Sequence, residues 1–369
     1  MVKKKVLIVD DSAFMRKLIS DFLSTSDQLE VAGIARNGED AIAKIMKLSP
    51  DVLTLDVEMP KMNGIEALKR IMSECPVPVV MLSSTTKEGA EETLKAIQLG
   101  AVDFIAKPSG TISLDLHKIQ DEIVQKVLSA SQVSITKLLK STTSIDFDSN
   151  KECQKVDIPQ KADHVTSRSS SLDFYDNHKK KIILIGTSTG GPRALQHVLT
   201  ELPSSVKAPV LIVQHMPAGF TKSLADRLDS ISGIRVKEAE QGEVLQDGTA
   251  YIAPGGYHMK IVQSETILKV HLTKEEEPRN GHRPSVDVLF ESVSIIDDYN
   301  KIAVIMTGMG TDGTQGVKKI KEYGTVKTIA ESPDSCIVYG MPKSVIAANL
   351  SDEVVNVDEI AQSIMKYMM

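Results

Sequence analysis

The chain contains no tryptophan, and phenylalanine and tyrosine bring its aromatic content to only 4%. Its three cysteines, Cys75, Cys153 and Cys336, are widely spaced without the pairing of a metal motif, so we expect ordinary reduced thiols. No apolar run approaches the roughly 20 residues that cross a bilayer, and the N-terminus lacks the apolar core and cleavage site of a secretory signal. We therefore expect a cytoplasmic protein without direct membrane insertion.

An excess of positive charge is also missing. The chain has 43 lysines and arginines against 49 acidic residues, and its net charge is -6 at pH 7. This balance argues against a general affinity for nucleic acid or anionic membranes. The second half contains no compact basic recognition helix, so a DNA-binding output is not expected either.

What the chain does contain is the composition of a globular protein, 41% hydrophobic and 25% charged residues over 369 positions. That length exceeds what one core usually organises and predicts two domains. Residues 1–128 alternate β-branched runs, at 6–9, 31–35, 52–55, 77–82 and 102–105, with amphipathic helical patterns. This alternation predicts an α/β domain with a flavodoxin-like, doubly wound parallel sheet.

A polar, serine-rich stretch over 129–180 has few apolar clusters and predicts a flexible linker. From 181 to 369 the alternation resumes, with predicted strands at 182–185, 210–214, 302–306 and 326–329. Between them, strand-like runs over 249–270 surround Ala253-Pro-Gly-Gly256 and predict a β-hairpin insertion. The second domain is therefore expected to be a doubly wound, mostly parallel α/β fold with that insertion.

Polar residues follow several strands of the first domain. Asp10 and Asp11 end strand one, Asp56 ends strand three, Ser83 ends strand four and Lys107 follows strand five. The carboxyl ends of parallel strands line one crevice, where clustered carboxylates suit Mg²⁺. Asp56 can then attack phosphorus, with Lys107 and Ser83 contacting the phosphoryl oxygens. Helix N-capping is an alternative for a single aspartate such as Asp11, but it does not explain the whole group.

Residues 1 to about 125 resemble a response-regulator receiver domain. The resemblance rests on Val9-Asp10-Asp11, Leu55-Asp-Val-Glu-Met-Pro60, Met62-Asn-Gly64 and Lys107-Pro108. It implies Asp56 as phospho-acceptor, Asp11 and Asp56 as Mg²⁺ ligands assisted by Asp10, and a histidine kinase as phosphodonor. Phe104 occupies the aromatic switch position of that family, although an ordinary core or surface aromatic is equally compatible with the sequence.

In the second half, Gly186-Thr-Ser188-Thr-Gly190 follows an apolar strand and precedes Pro192, which suits the first turn of a helix. A serine among glycines at such a turn is typical of an exposed nucleophile, but glycine-rich turns also bind phosphate or let a helix pack closely. His215 and Asp312 each follow a later strand and would complete a triad with Ser188. Taken singly, a capping histidine and an ordinary Asp-Gly turn remain alternatives. The order Ser, His, Asp differs from that of the α/β-hydrolases and of the two familiar serine-protease folds.

A competing hypothesis comes from Gly308-x-Gly310-x-x-Gly313, which fits the dinucleotide fingerprint, with Glu331 as ribose ligand. It predicts a dehydrogenase. Asp312 would then face the pyrophosphate with like charge at a helix N-terminus, which disfavours this hypothesis. A receiver joined to a non-catalytic binding module is a third possibility.

Residues 181–369 resemble the catalytic domain of the chemotaxis-specific protein-glutamate methylesterase and glutamine deamidase family. The shared motifs are Ile185-Gly-Thr-Ser-Thr-Gly-Gly191, Gln214-His-Met-Pro-Ala-Gly-Phe220, Tyr251-Ile-Ala-Pro-Gly-Gly256, Pro284-Ser-Val-Asp287 and Thr307-Gly-Met-Gly-Thr-Asp-Gly313. The resemblance implies Ser188 as nucleophile, His215 as general base and acid and Asp312 as the carboxylate that orients it. It also implies an oxyanion hole from the backbone amides of Thr189 and Met309.

Together the two resemblances imply a phosphorylation-activated serine hydrolase, active on methylated glutamates and on glutamines of chemoreceptor cytoplasmic domains, that gives adaptation in chemotaxis. Mg²⁺ is expected in the receiver domain only, with no cofactor for ester hydrolysis. The unphosphorylated receiver is expected to cover the active site. The sequence gives no indication of the oligomeric state.

Overall fold

The computed structural model of the chain describes residues 2–107, 116–138 and 179–368. Two parallel sheets, each flanked by helices, organise the two halves of the chain. None of the helices in these ranges has both the length and the apolar character needed to cross a lipid bilayer.

The first half forms a five-stranded sheet of order β2-β1-β3-β4-β5, with every neighbouring pair parallel. Its strands are β1 (Lys4–Val9), β2 (Leu29–Ala35), β3 (Val52–Asp56), β4 (Val79–Ser83) and β5 (Asp103–Ala106). Its helices are α1 (Ala13–Leu23), α2 (Gly38–Leu48), α3 (Gly64–Glu74), α4 (Lys87–Leu99) and α5 (Leu116–Ala130). Strands β3 and β4 are buried along their whole length, as central strands of a covered parallel sheet should be.

Local sequence fixes where several of these helices begin. The side chains of Ser12, Asn37, Asn63 and Thr86 each accept a hydrogen bond from a backbone amide of the first turn. Such N-caps satisfy amides that have no partner within the helix. Each of these helices follows a strand through a loop, and the polar residues of the strand ends lie at one edge of the sheet.

The second half forms a seven-stranded, wholly parallel sheet of order β14-β13-β12-β6-β7-β9-β8. Its strands are β6 (Lys180–Thr187), β7 (Val210–Gln214), β8 (Arg235–Glu238), β9 (Thr249–Ile252), β12 (Tyr299–Ile305), β13 (Val326–Glu331) and β14 (Glu353–Val355). Its helices are α6 (Gly191–Glu201), α7 (Phe220–Asp229), α8 (Val286–Ser294), α9 (Thr314–Tyr323), α10 (Met341–Ala347) and α11 (Ile360–Lys366). A separate antiparallel hairpin joins β10 (His258–Ser264) to β11 (Ile267–Thr273).

The predicted fold class is confirmed for both halves, with one local correction. The hairpin expected over 249–270 begins only at His258, because Thr249–Ile252 lies in the main sheet between β7 and β8. Strands β8 and β14 were not predicted from the sequence. Both are short edge strands whose exposed or half-exposed residues lack a continuous apolar run.

The first ten residues of the predicted linker are ordered. Helix α5 extends to Ala130, and a helical turn covers 135–138. Val133 and Leu138 are buried, and Lys137 donates a 2.5 Å hydrogen bond to the carbonyl of Pro333 in the second half. This part of the chain therefore packs on the second domain, whereas residues 139–178 lie outside the described residues.

Candidate active site

The turn after β6 presents Ser188 at the edge of the second sheet. Gly190 has a φ of 81°, and a Cβ on Gly191 would lie 1.9 Å from the side-chain oxygen of Gln214, so this tight turn requires both glycines. The amide of Ser188 donates to the carbonyl of Thr307 (3.0 Å), and its own carbonyl accepts from the amide of Gly191 (2.7 Å). The backbone of Ser188 is therefore held by two neighbouring segments.

His215 and Asp312 form the pair that the sequence predicted. Nε2 of His215 lies 2.8 Å from Oδ2 of Asp312, and their side chains are only 6% and 2% exposed. Burial alone would raise the pKa of Asp312, but the hydrogen bond and charge of His215 and the amides of Asp287 and Val286 lower it. The carboxylate stays ionised and fixes the orientation of the imidazole ring.

Ser188 and His215 line the same cavity of about 490 Å³. Because Asp312 contacts Nε2, the nitrogen of His215 left for Ser188 is Nδ1, which is buried and has no hydrogen-bond partner among the described residues. An imidazole with one nitrogen held by a carboxylate and the other free can accept a proton from a nearby hydroxyl. The structure thus places Ser188 and His215 on one cavity, with Asp312 buried behind His215.

His282, which the sequence reasoning missed, stacks on His215 with ring centroids 3.9 Å apart and an angle of 6° between the rings. Burial, with a contribution from neighbouring His215, lowers the pKa of His282 to about 3, so this second imidazole is neutral. It follows Asn280-Gly281, which has the appearance of an ordinary surface turn in the sequence. The ring contact joins His282 to a residue 67 positions earlier in the chain. No local sequence pattern indicates such a contact.

Gln214 is a second residue that the sequence reasoning did not single out. Its side-chain nitrogen donates to the carbonyls of Ser188 (3.1 Å) and His215 (3.2 Å), and its oxygen accepts from the hydroxyl of Thr187 (2.7 Å). This buried amide therefore ties the backbone of the serine turn to that of the histidine. A glutamine that ends the apolar strand Val210–Gln214 is the sequence signal that would have identified it.

Two backbone amides stand beside Ser188. A Cβ on Gly308 would lie 2.7 Å from Cβ of Ser188, so the loop that continues into Met309 lies directly against the serine. Within the described parts of the chain, the amides of Thr189 and Met309 donate no hydrogen bond. Unused amides beside a serine suit an oxygen that gains negative charge.

The dinucleotide hypothesis finds no support in this geometry. Glu331 is buried beneath the glycine loop, where its Oε2 accepts from the amide of Thr307 (2.7 Å) and its Oε1 from the hydroxyl of Ser335 (2.9 Å). It is therefore engaged inside the domain and offers no oxygen to a ribose. The carboxylate of Asp312 is hydrogen-bonded to Nε2 of His215.

In the first domain, ligand oxygens of Asp10, Asp11 and Asp56 all lie within 4.8 Å of one another. One oxygen of Asp10 accepts from the amide of Ser12 (2.9 Å) and one of Asp56 from the amide of Glu58 (3.2 Å). The buried Oδ2 of Asp10 accepts no hydrogen bond from the described residues.

Lys107 partly compensates this negative charge, with its Nζ 2.7 Å from Oδ2 of Asp56 and 3.6 Å from Oδ2 of Asp10. Burial nevertheless raises the pKa of Asp56 to about 6 and also raises that of Asp10. A cluster of three carboxylates, with a buried Asp10 oxygen that has no hydrogen-bond partner among the described residues, fits a divalent cation such as Mg²⁺.

Ser83 and Phe104 have other partners in this structure. The hydroxyl of Ser83 donates to the carbonyl of Gly89 (2.9 Å) in α4, so it must rotate to reach a phosphoryl group on Asp56. Its predicted bond to a phosphoryl oxygen stays a prediction. Phe104 is buried against the second domain, where its ring stacks on Phe220 with centroids 4.6 Å apart.

The first domain supplies one wall of the cavity at Ser188. Asp121, Glu122, Gln125 and Lys126 of α5 line it together with Ser188, Thr189, His215, His282, Arg283 and Met309 of the second domain. The hydroxyl of Thr189 donates to Oδ2 of Asp103, and the hydroxyl of Ser129 lies 2.6 Å from Sδ of Met309. The guanidinium of Arg193 donates to the carbonyls of Ile97 and Ala101 at the end of α4.

Comparison with known proteins accounts for both halves. Residues 183–364 match the family model of the CheB methylesterase, and residues 6–118 match that of the response regulator receiver domain. A protein-glutamate methylesterase/protein-glutamine glutaminase of Halalkalibacterium halodurans is 56% identical over 98% of this chain and 97% of its own length. The protein of the same name from Bacillus subtilis is 49% identical over 98% of this chain and 97% of its own.

Among solved structures, the catalytic domain of the Thermotoga maritima CheB methylesterase is 45% identical, covers 51% of this chain and 98% of its own, and has a TM-score of 0.49. The near full-length relatives, not this partial likeness, decide the assignment. The chain belongs to the protein-glutamate methylesterase/protein-glutamine glutaminase family, with a response regulator receiver domain preceding the CheB methylesterase domain.

Proposed function

We propose that this protein is a phosphorylation-activated serine hydrolase of the cytoplasm. Its substrates are glutamate methyl esters and glutamine amides on the cytoplasmic domains of chemoreceptors, and its activity gives adaptation in chemotaxis. The observation that carries the proposal is the His215–Asp312 pair beside Ser188, in a cavity walled by the domain that holds the Asp56 pocket.

In the proposed reaction, Oγ of Ser188 attacks the ester carbonyl while Nδ1 of His215 takes the hydroxyl proton. Asp312 stabilises the imidazolium, and the amides of Thr189 and Met309 receive the oxyanion of the tetrahedral intermediate. When the intermediate collapses, the imidazolium gives its proton to the departing methoxide, which leaves as methanol. A water, deprotonated by His215, then releases the glutamate and restores Ser188; with a glutamine substrate the first leaving group is ammonia.

The receiver domain restricts this reaction in the arrangement described here. Asp103 and Ser129 contact Thr189 and Met309, the residues proposed to form the oxyanion hole. Helix α5 forms one wall of the cavity that the substrate side chain must reach. Phosphorylation activates the enzyme if it favours a second arrangement in which these contacts are absent.

The route from the phosphorylation site to these contacts is short. Lys107 directly follows β5, and its amide donates to the carbonyl of Ser83 (2.7 Å). Asp10 and Asp11 would hold Mg²⁺, which would neutralise part of the charge of a phosphoryl group on Asp56. The side chains of Lys107 and Ser83 then turn towards that phosphoryl group. The change at Lys107 acts on the end of β5, and the change at Ser83 acts on β4, which pairs with β5. The first residues of β5, Asp103 and Phe104, contact the second domain. The phosphodonor is a histidine kinase of the chemotaxis system.

The test uses the full chain and membranes that contain methylated chemoreceptors, with methanol release as the measurement. We expect hydrolysis that increases when a small phosphodonor and Mg²⁺ are added, and none from Ser188→Ala. Asp56→Asn separates the two parts of the proposal, because it should keep the basal rate and lose the increase. Equal rates with and without phosphodonor would refute the regulation, and an active Ser188→Ala would refute the nucleophile.

A further inference from the structure

Helices α8 and α9 begin side by side. The first amides of each helix donate hydrogen bonds to an aspartate at the start of the other. Asp312, two residues before α9, accepts hydrogen bonds from the amides of Val286 (2.7 Å) and Asp287 (2.9 Å) in α8. Asp287, in the first turn of α8, accepts from the amides of Gly313 (2.9 Å) and Gly316 (2.7 Å) at the start of α9. First-turn amides lack partners within a helix and carry partial positive charge, so each carboxylate is bound to the opposite helix.

Glycines make this close approach possible. Gly313 has a φ of 96°, in the region that favours glycine. A Cβ on Gly316 would lie 2.5 Å from Cβ of Phe290 and 3.1 Å from Cα of Asp287. Since no side chain separates the two helix starts, Asp287 cannot move without moving the segment that carries Asp312.

The two carboxylates also interact through their charges. Both residues are buried, with 2% and 3% exposure. Burial, reinforced by the charge of Asp312, raises the pKa of Asp287 to about 6, against the opposing effect of the Gly316 and Gly313 amides. The negative charge behind the catalytic pair therefore increases as the pH rises through this region.

The other charged or titratable groups around this pair are few within the described residues. His215 contacts Asp312 from the β7 side, with His282 stacked on its ring. The charge of Arg279 acts on both aspartates, and Arg279 is itself paired with Glu291 of α8. Arg279 keeps its positive charge, because the hydrogen bond and charge of Glu291 raise its pKa further. The carboxyl group of this set whose pKa is raised to about 6 is that of Asp287.

We propose that Asp287 is a positioning residue of the hydrolase, which holds Asp312 against His215 and adds negative charge behind them. This inference rests on the proposed function. When His215 takes the proton of Ser188, the positive imidazolium forms with its Nε2 2.8 Å from Oδ2 of Asp312. Asp287 makes no hydrogen bond to His215 within the described residues and is linked to it through the segment of Asp312. The ionised form of Asp287 stabilises that charge at a distance, but it transfers no proton and does not line the cavity of the substrate.

The experiment compares three full-length variants with the wild-type chain. Asp287→Asn keeps a side-chain oxygen for the glycine amides but removes the charge, whereas Asp287→Ala removes both. Asp352→Asn is the matched control. Asp352 likewise accepts a hydrogen bond from a backbone amide, that of Thr328 (2.7 Å), and it forms an ion pair with Lys321 away from the catalytic residues. Each variant is measured for methanol release between pH 5 and 9 and for hydrogen exchange of the peptide 307–316.

We expect Asp287→Asn to lower kcat about tenfold with KM unchanged, to move the acid limb of the pH profile, and to keep the exchange protection of residues 313 and 316. Asp287→Ala should lower kcat about a hundredfold and make that peptide exchange at least about tenfold faster. The control should match the wild type in every measurement.

The inference fails if Asp287→Asn has the rate and pH profile of the wild type, or if Asp287→Ala leaves the exchange of 307–316 unchanged. A loss of kcat in Asp287→Asn that is equal at every pH would reduce the role of Asp287 to structure and would also overturn it. Wild-type protein that releases no methanol would instead refute the proposed function, and the exchange comparison would still decide whether Asp287 holds the segment of Asp312.

Discussion

The carboxylate of Asp103 in the receiver domain accepts a hydrogen bond from the hydroxyl of Thr189, the residue that follows Ser188. Both side chains are buried, at 8% and 5% exposure, so water does not compete for this hydrogen bond. Lys126 and Phe104 lie beside Asp103, with Nζ of Lys126 3.6 Å from the carboxylate and 5.1 Å from the ring centroid. The contact joins the sheet of the receiver domain directly to the serine turn.

Removal of this contact should activate the enzyme without phosphorylation. A buried hydrogen bond to a charged group contributes about 1.5–3 kcal/mol, so Asp103→Ala should raise the basal rate of methanol release at least about tenfold. Asp51→Ala is the control, because Asp51 pairs with Lys4 inside the receiver domain. A basal rate equal to that of the wild type, in a variant that is still folded and activated by phosphodonor, would contradict the proposed restraint.

Asp312→Asn should abolish most activity without preventing substrate binding. The amide would present an N–H to Nε2 of His215 or force the other tautomer, so the imidazole could no longer take the Ser188 proton. In a classic serine protease the corresponding change costs about 10⁴ in kcat, and we expect a loss of roughly 10³–10⁴ with KM changed little. Steady-state methanol release measures both constants. The control is Asp229→Asn, which changes a carboxylate that accepts a hydrogen bond from the amide of Val236, and it should behave like the wild type.

Phosphorylation by a small acyl-phosphate donor should weaken in acid. Burial raises the pKa of Asp56 to about 6, and only the ionised carboxylate attacks phosphorus, so below this pH the nucleophile is lost as protons bind. Saturating Mg²⁺ favours the ionised form and should move the midpoint to lower pH. The measurement is the rate of phosphoprotein formation against pH at several Mg²⁺ concentrations. A midpoint that does not depend on Mg²⁺ would argue against a cation at Asp10, Asp11 and Asp56.

Glu331 should make the second domain less stable as the pH rises. Burial raises its pKa from 4.5 to about 7, so the folded state binds the proton more tightly than the unfolded chain. The stabilisation is complete below about 4.5 and is lost as the pH rises through 7, by up to roughly 3 kcal/mol. Glu331→Gln keeps an acceptor for the amide of Thr307 without the charge.

Thermal unfolding of the wild type and Glu331→Gln at pH 5 and pH 8 tests this expectation. The variant should gain stability relative to the wild type on going to pH 8. Glu322→Gln, at an exposed position of α9, should show no such trend. A constant difference between Glu331→Gln and the wild type at both pH values would show that Glu331 does not titrate in this range.

The sequence predicted those parts of the site that follow from parallel-sheet geometry. Asp10, Asp56, Ser188 and His215 each end a strand or follow one directly, and the carboxyl ends of parallel strands share one edge. Asp312 follows β12 by a short loop, so it reaches the same edge. These positions could be inferred without knowledge of any contact between distant segments.

The remaining parts depend on contacts that no local pattern encodes. His282 reaches His215 from the loop after the hairpin, and Asp103 reaches Thr189 from another domain. Gln214 is a single polar residue in an apolar strand, and its role appears only when the carbonyls of Ser188 and His215 are seen together. Packing between separate elements, not the periodicity of any one of them, decides these contacts.

The cavity at Ser188 has walls from both domains, and this has a consequence for its ligands. A small molecule that fills it while touching both α5 and the serine turn binds the docked arrangement more tightly than an open one. If phosphorylation of Asp56 favours the open arrangement, such a molecule would oppose it, and phosphorylation would weaken the binding of the molecule by the same factor, because thermodynamic linkage is reciprocal. An inhibitor of this kind would act on the inactive population of the enzyme and lose its effect as the kinase signal grows.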